Sequence, residues 1–400
     1  MVWLGSGARR LRHRVLLSIV GLAACTTATS TPPSSDPPAD GGALDADAGS
    51  DAAVLPDGCV DALDALDAAG DPWNPPLEGP VVGVATFDGW ETPRRLPPPV
   101  NIDGGWTDSV MITADARRLL FGYTTADFDT LLSTGTFSYS GTRRPGMPVD
   151  DFRIFEATLE RDAWRVGVHP LASSDPNYAE ASASLNVAQD LMVFTRWAHD
   201  AGFKADLFLA SRSSNGGWST PAPLSINTAC NDDNGFVVGD LVNGVTLTFE
   251  SDRIDDDGTS CGAKKHLFMT TYASGTFSPV TRAPGMNGAG VDDEDFQPFV
   301  SPDQKTAIWT AIRTSPPFYG ILSADRTDTS APFANPRPLL GVTTFAPPFA
   351  NRITFLCEAN VAEVPQGWVM TLMCGGARRD NDAGTPADVH LDVCFSRKAR

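Results

Sequence analysis

Positive charge is scarce in this chain and unevenly placed. Against 49 Asp and Glu stand 30 Lys and Arg, a formal net charge of −19, and no Lys or Arg occurs between Arg14 and Arg94. Proteins hold a phosphate backbone with clustered cations that displace counterions, so the composition excludes a nucleic-acid partner. No run approaches the roughly 20 apolar residues that a membrane-spanning helix needs. Histidine numbers five, and His169, His199, His266 and His390 share no motif, so each is read as a surface or packing residue. H-E-x-x-H, G-x-S-x-G and C-x-x-C are all absent, which removes zinc-protease, α/β-hydrolase and thiolate-metal readings. What the chain does have is Gly (36) and Pro (32) with 42% hydrophobic residues: material for a core, and turns in place of long helices. An all-β fold is expected.

The first 25 residues give an address. Arg9, Arg10, Arg12 and Arg14 precede an apolar run from Val15 to Ala24, and Cys25 follows. A charged segment and a short hydrophobic one make a signal peptide. Leu22-Ala23-Ala24-Cys25 resembles the bacterial lipobox, which implies cleavage after residue 24, lipidation of Cys25 and an anchor in a membrane, with Thr26 favouring the outer one. Residues 25–75 are rich in Ser, Thr, Pro, Ala and Gly, with ten aspartates from Asp36 to Asp71. Such a segment buries too little apolar surface to offset its ordering entropy and is expected to be a disordered tether. Residues 76–400 form the folded domain, expected to be a monomer.

That domain repeats. "DLFLASRSSNGGWSTPAPLS" at 206 has blurred copies at 81 ("VVGVATFDGWETPRRLPPP"), 153, 266 and 319, with turn aromatics Trp90, Trp164, Trp218, Phe277 and Phe333. Between copies lies a nearly continuous apolar strand: "LLFGYT", "LMVFTRW", "VTLTFES", "TAIWTAI" and "WVMTLMC". Unbroken apolarity in a short strand means burial on both faces. Turn pairs such as Asn243-Gly244 precede these strands, and a further strand precedes each turn, so one period holds four strands joined by hairpins. Four-stranded sheets at such a period are β-propeller blades. "FVSPDQKTAIWTAIR" followed by "YGILSADR" resembles the Pro-Asp variety of WD-type repeat of TolB-like propellers, over residues 80–400. One copy keeps Ser301-Pro302-Asp303, with Gln304 where that family has glycine.

The count gives five blades of four antiparallel strands, with room for an incomplete sixth. The chain ends near "VHLDVCFSRKAR", about where a fifth outer strand should begin, so the N-terminal strand is expected to complete the last blade and close the ring. "VVGVATF" and "VHLDVCF" then compete for one place in it.

Six cysteines remain beside Cys25: Cys59, Cys230, Cys261, Cys357, Cys374 and Cys394. An even number in an exported chain argues for disulfides. Cys230 and Cys261 share a blade and form a natural pair. Cys374 suits either Cys357 or Cys394, and the cysteine left over is a partner for Cys59.

Asp108, Glu180, Asp233 and Asp295 precede the innermost strands at similar offsets, which suggests a carboxylate ring at one mouth of the central channel, suited to a cation or a basic ligand. The loop "DRIDDDGTSC" packs Asp252, Asp255, Asp256 and Asp257 before Gly258; it is read as a solvated acidic loop, with calcium as the rival. No other cofactor is expected. The functional expectation is a binding or scaffolding module of the cell envelope, with a protein or glycan partner and no catalytic residues. The alternative is a glycan-active hydrolase, since five-bladed propellers include glycosidases that hold carboxylates over the channel.

Overall fold

The computed structural model describes residues 70–127, 138–173, 175–198, 204–342, 352–379 and 386–400, and every regular element in them is a β-strand. The signal sequence, Cys25, Cys59 and residues 26–69 of the tether lie outside the described residues.

Two short strands lead, β1 (Val84–Thr86) and β2 (Arg94–Arg95). Blade 1 follows as β3 (Trp106–Ile112), β4 (Arg118–Thr124), β5 (Arg153–Glu160) and β6 (Ala163–Val168). Blade 2 is β7 (Tyr178–Leu185), β8 (Leu191–Ala198), β9 (Lys204–Ser211) and β10 (Ala222–Pro223). Blade 3 is β11 (Asp232–Asp240), β12 (Gly244–Arg253) and β13 (Cys261–Ala273), whose outer edge is shared by β14 (Thr276–Phe277) and β15 (Thr281–Arg282). Blade 4 is β16 (Glu294–Val300), β17 (Thr306–Thr314), β18 (Pro317–Asp325) and β19 (Ala334–Val342). Blade 5 is β20 (Arg352–Val364), β21 (Gly367–Arg379), β22 (Pro386–Ala399) and β2. The innermost strands β3, β7, β11, β16 and β20 touch their neighbours around the axis, β20 meeting β3. This is a closed ring of five blades, all antiparallel.

The apolar runs of the sequence are the second strands. Leu119 to Thr124 of β4 and Ala307 to Ile312 of β17 are buried throughout, because each second strand is covered by a blade on either side. The same pair of rings recurs on strands two and three: Phe121 with Phe155, Phe194 with Phe208 and Phe249 with Phe268, each with centroids 6.0 Å apart. The first turn of blade 4 holds its shape with Gln304 in the left-handed region (φ 59°), and Ser301 Oγ donates to Asp303 at 2.6 Å.

Closure follows the expected route with two corrections. "VHLDVCF" belongs to β22, the third strand of blade 5, and its outer edge is taken by β2, where Arg95 pairs with Cys394. "VVGVATF" does not compete for that place: β1 lies on the outer edge of β19 in blade 4, Val84 opposite Val342. The segment therefore grips two blades, and a sixth is not needed. Trp218 sits at the seam of blades 1 and 2, its ring 5.7 Å from His169 and 5.9 Å from the Arg212 guanidinium.

Among the described residues two disulfides form, Cys230 to Cys261 in blade 3 and Cys374 to Cys394 in blade 5, with Cα separations of 5.3 and 5.8 Å. Cys357 is a buried free thiol one position from the axis, so the pairing of Cys374 with Cys357 is not the one adopted.

Candidate functional site

Each innermost strand carries a β-bulge at the same level. Ser109, Ser182, Asn234, Gln297 and Glu358 adopt left-handed φ values of 55°, 54°, 48°, 54° and 57°, and the pairing with the second strand slips by one residue at each. None is glycine, and a left-handed L-residue costs about 1–2 kcal/mol, so the conformation has to be held by contacts. Those contacts run round the axis. Ser109 Oγ lies 3.0 Å from Ser182 Oγ of blade 2 and donates to Glu358 Oε1 of blade 5 at 3.3 Å. Gln297 Nε2 of blade 4 donates to the same oxygen at 2.5 Å, and the Glu358 amide donates to Thr310 Oγ1 at 3.0 Å. The Gln297 amide donates to Glu250 Oε2 of blade 3 at 2.9 Å, and the Asn234 amide to Thr195 Oγ1 of blade 2 at 3.2 Å. The circuit touches all five blades.

Measured from the bulge, the four carboxylates read from the sequence fall into two sets. Asp108 and Asp233 stand one residue before it; Glu180 and Asp295 stand two before, beside Asp232 of blade 3. Adjacent strand positions face opposite ways. Glu180 therefore meets Arg196 of its own second strand (Nε to Oε1 2.7 Å) and the Ser173 amide (2.6 Å). Asp295 meets Arg313, Trp309 Nε1 (2.7 Å) and the Gly288 amide (2.7 Å), and Asp232 meets Arg253 and the Thr228 amide (2.7 Å). Arg196 and Arg253 lie over the paired rings, 4.7 Å from Phe208 and 5.1 Å from Phe249. In blade 1, where Thr107 replaces the carboxylate, Arg144 fills that place over Phe121 and Tyr123. These are structural ion pairs inside blades.

Asp108 and Asp233 instead converge on the axis, where Glu358 and Glu250 join them. All four are buried, with Asp108 the most exposed at 9%. Burial, then the charge of Asp233, pushes Asp108 up to about 7. Burial, then Glu250, pushes Asp233 up to about 6, with Lys265 opposing. Burial, then the charges of Asp108 and Glu250, holds Glu358 well above the carboxylate range, and the side-chain interaction with Glu358 lowers Asp108 in part. Lys265 Nζ lies 3.3 Å from Glu250 Oε1; burial alone would pull the ammonium down, but Glu250, Asp233 and Asp252 outweigh it and hold it above its ordinary value. Burial and mutual charge thus favour a proton on Glu358 over one on Asp233, a division of proton affinity between neighbouring carboxyls.

Below the carboxyls the axis keeps a cavity of about 30 Å³, lined by Ser109, Ser182, Asn234, Gln297, Glu358 and Asn360. Its volume matches that of one water molecule. Glu250, Glu358 and Lys265 are the members that sequence reasoning missed. Glu250 lies on a second strand and Glu358 at the bulge itself, in "FESD" and "LCEAN", and neither context marks a channel residue.

The acidic loop of blade 3 places its carboxylates on protein donors. Asp252 accepts from the Asn231 amide and its Nδ2, both at 2.8 Å; Asp256 accepts from the Arg282 amide at 3.2 Å and Asp257 from the Thr259 amide at 3.0 Å. Among the described residues, Asp252 clusters only with Cys230 and Cys261, whose sulfurs form a disulfide and offer no thiolate. Asp255 is exposed and joins no such cluster.

No protein-family model matches the sequence, and no curated protein does. Solved structures do match. The catalytic domain of a GH62 α-L-arabinofuranosidase from Coprinopsis cinerea is 11% identical, with 83% of this chain and 98% of that one covered and a TM-score of 0.40. An α-L-arabinanase from Penicillium chrysogenum, complexed with arabinobiose, is 10% identical over 79% and 98% of the two chains (TM-score 0.38). A β-xylosidase is 10% identical over 76% and 94% (TM-score 0.44). At such identities and TM-scores no residue role passes from them to this chain.

Proposed function

We propose that the protein is a glycan-active hydrolase working by acid and base catalysis at the axis. The observation that carries this is the convergence of Asp108, Asp233 and Glu358 from three innermost strands, with proton affinities pushed apart by burial and mutual charge. Glycosidic bonds are cleaved by a pair of carboxyl groups, one protonated to assist the leaving oxygen and one ionised to activate water or attack carbon. Glu358 suits the first role and Asp233 the second, and the neighbouring Asp108 carboxyl favours retention of the proton on Glu358. On this reading the substrate reaches Glu358 from the end of the axis where the innermost strands begin.

The test is release of reducing ends or aryl leaving groups from a panel of polysaccharides and aryl glycosides by the full-length protein. Glu358→Gln and Asp233→Asn should each lower kcat by about 100-fold or more. No release from any substrate, or full activity in both variants, would overturn the proposal.

A second reading rests on the cavity, whose volume of about 30 Å³ is far below that of a sugar-binding pocket. On it the ring is a binding module that meets an envelope protein or glycan through its loops, and the axial carboxyls serve the blade joints. Glycan retention on an affinity column without cleavage would favour this reading.

A further inference from the structure

Lys265 takes no part in the roles above, yet it is a lysine with its side chain only 13% exposed, and a buried cation needs a reason. It stands on β13, behind Glu250 of β12, which stands behind Asp233 of β11, Asp233 being paired with Glu250 across the two strands. The three charges run outward from the axis through one blade. From Glu250 the chain turns sideways: its second oxygen holds the Gln297 amide at the blade 4 bulge, and the Gln297 side chain holds Glu358.

We propose that Lys265 is a positioning residue for the axial carboxyls, fixing Glu250 so that Glu250 sets both the charge facing Asp233 and the bulge that carries the Gln297 contact to Glu358. The role in catalysis rests on the hydrolase reading; the electrostatic control of Asp233 does not. Lys265 supplies the positive charge behind Glu250, and each blade-level neighbour has its own partner: Lys264 pairs with Glu294 at 2.6 Å, and Asp252 with Asn231. Facing Asp233 are Asp108 from β3 and Glu250 from β12, both acidic, with Thr195 from β8 neutral. Glu358 of β20 acts on it through Asp108. Removing the Lys265 charge leaves this group of carboxyls without its compensating cation, and removing the Glu250 charge leaves the cation facing Asp233 alone.

The two substitutions should therefore move Asp233 in opposite directions. Carboxyl carbon NMR on the full-length protein, with Asp233 assigned by the loss of its resonance in Asp233→Asn, gives the midpoint directly. Lys265→Met should raise the midpoint by about one unit, a roughly tenfold gain in proton affinity, and Glu250→Gln should lower it by a similar amount. Lys265→Arg should restore the ordinary value. If Lys265→Met does not fold, Glu250→Gln carries the test. An Asp233 midpoint that stays put in Glu250→Gln, or that moves the same way in both variants, overturns the proposal. Where a glycan is cleaved, the acid limb of kcat/KM should follow the NMR midpoints. Midpoints that move in a protein cleaving nothing would sink the hydrolase reading and leave the control of Asp233 by Lys265 in place.

Discussion

Replacing Asp108 by Asn should make the protein's stability less dependent on pH, in a direction opposite to ordinary acid denaturation. In the folded ring Asp108 keeps its proton up to about pH 7, against an ordinary value of 3.8 in the unfolded chain. Between those values the folded state binds more proton than the unfolded one, so stability falls as pH rises. A displacement of about three units at about 1.4 kcal/mol each gives about 4 kcal/mol, present in full below pH 4 and lost as pH rises through 7. About 2 kcal/mol of that lies between pH 5 and 7 and about 3 kcal/mol between pH 5 and 8, a window clear of the acid range in which ordinary carboxylates titrate. Asp108 is buried, so solvent does not screen the effect. Asn keeps the shape and a hydrogen-bonding amide but has no charge to lose. Urea unfolding at pH 5, 6, 7 and 8 should show wild type losing about 3 kcal/mol more than Asp108→Asn over the range. Parallel curves for the two proteins would show that Asp108 ionises as readily folded as unfolded, and the axial cluster would not be what its burial implies.

Three further outcomes bear on the frame and the address. Arg253→Met strands Asp232, the pair being 1% and 0% exposed, and should cost about 3–5 kcal/mol in urea, while Asp232→Asn with Arg253→Met should recover at least half of it. Losing the Cys230–Cys261 link, which spans 31 residues, by Ser substitution at both should lower stability by about 3–4 kcal/mol in urea unfolding, with a steeper denaturant slope as the unfolded chain loses its constraint. We also propose that Cys25 anchors the protein to a membrane. Cys25→Ser should move it from the membrane to the soluble fraction on centrifugation, and a distribution that does not change would refute lipidation there.

How much of this was legible in the sequence depends on which signal is asked for. The second strands announced themselves because a strand covered on both faces tolerates little but apolar residues, and those five runs fixed the blade count. The closing strand was harder: Arg94 and Arg95 make a two-residue strand with no pattern, whereas "VVGVATF" reads well and pairs one blade away. The carboxylates show the limit most clearly. Read only as acidic residues ahead of the apolar runs, Asp108, Glu180, Asp233 and Asp295 look equivalent; counted from the bulge they are one residue out of phase, and a single-residue slip turns a side chain to the other face. The bulge carries no sequence mark, since Ser, Ser, Asn, Gln and Glu stand at left-handed positions that glycine would have advertised. Glu358 escaped notice for the same reason.

That variety has a consequence for assembly. A ring of near-identical modules has no intrinsic reason to stop at five or to keep its members in order, because any outer face will accept any neighbour. Here the joints differ: hydroxyl to hydroxyl between blades 1 and 2, hydroxyl to carboxyl between 1 and 5, amide side chain to carboxyl between 5 and 4, and backbone amide to carboxylate between 4 and 3. A module in the wrong slot would bring Ser109 or Gln297 against a partner that does not answer it and would leave buried polar groups unmet, at a cost of about 1–3 kcal/mol each. The polar contacts of the hub are thus met together only when all five blades stand in place round the axis.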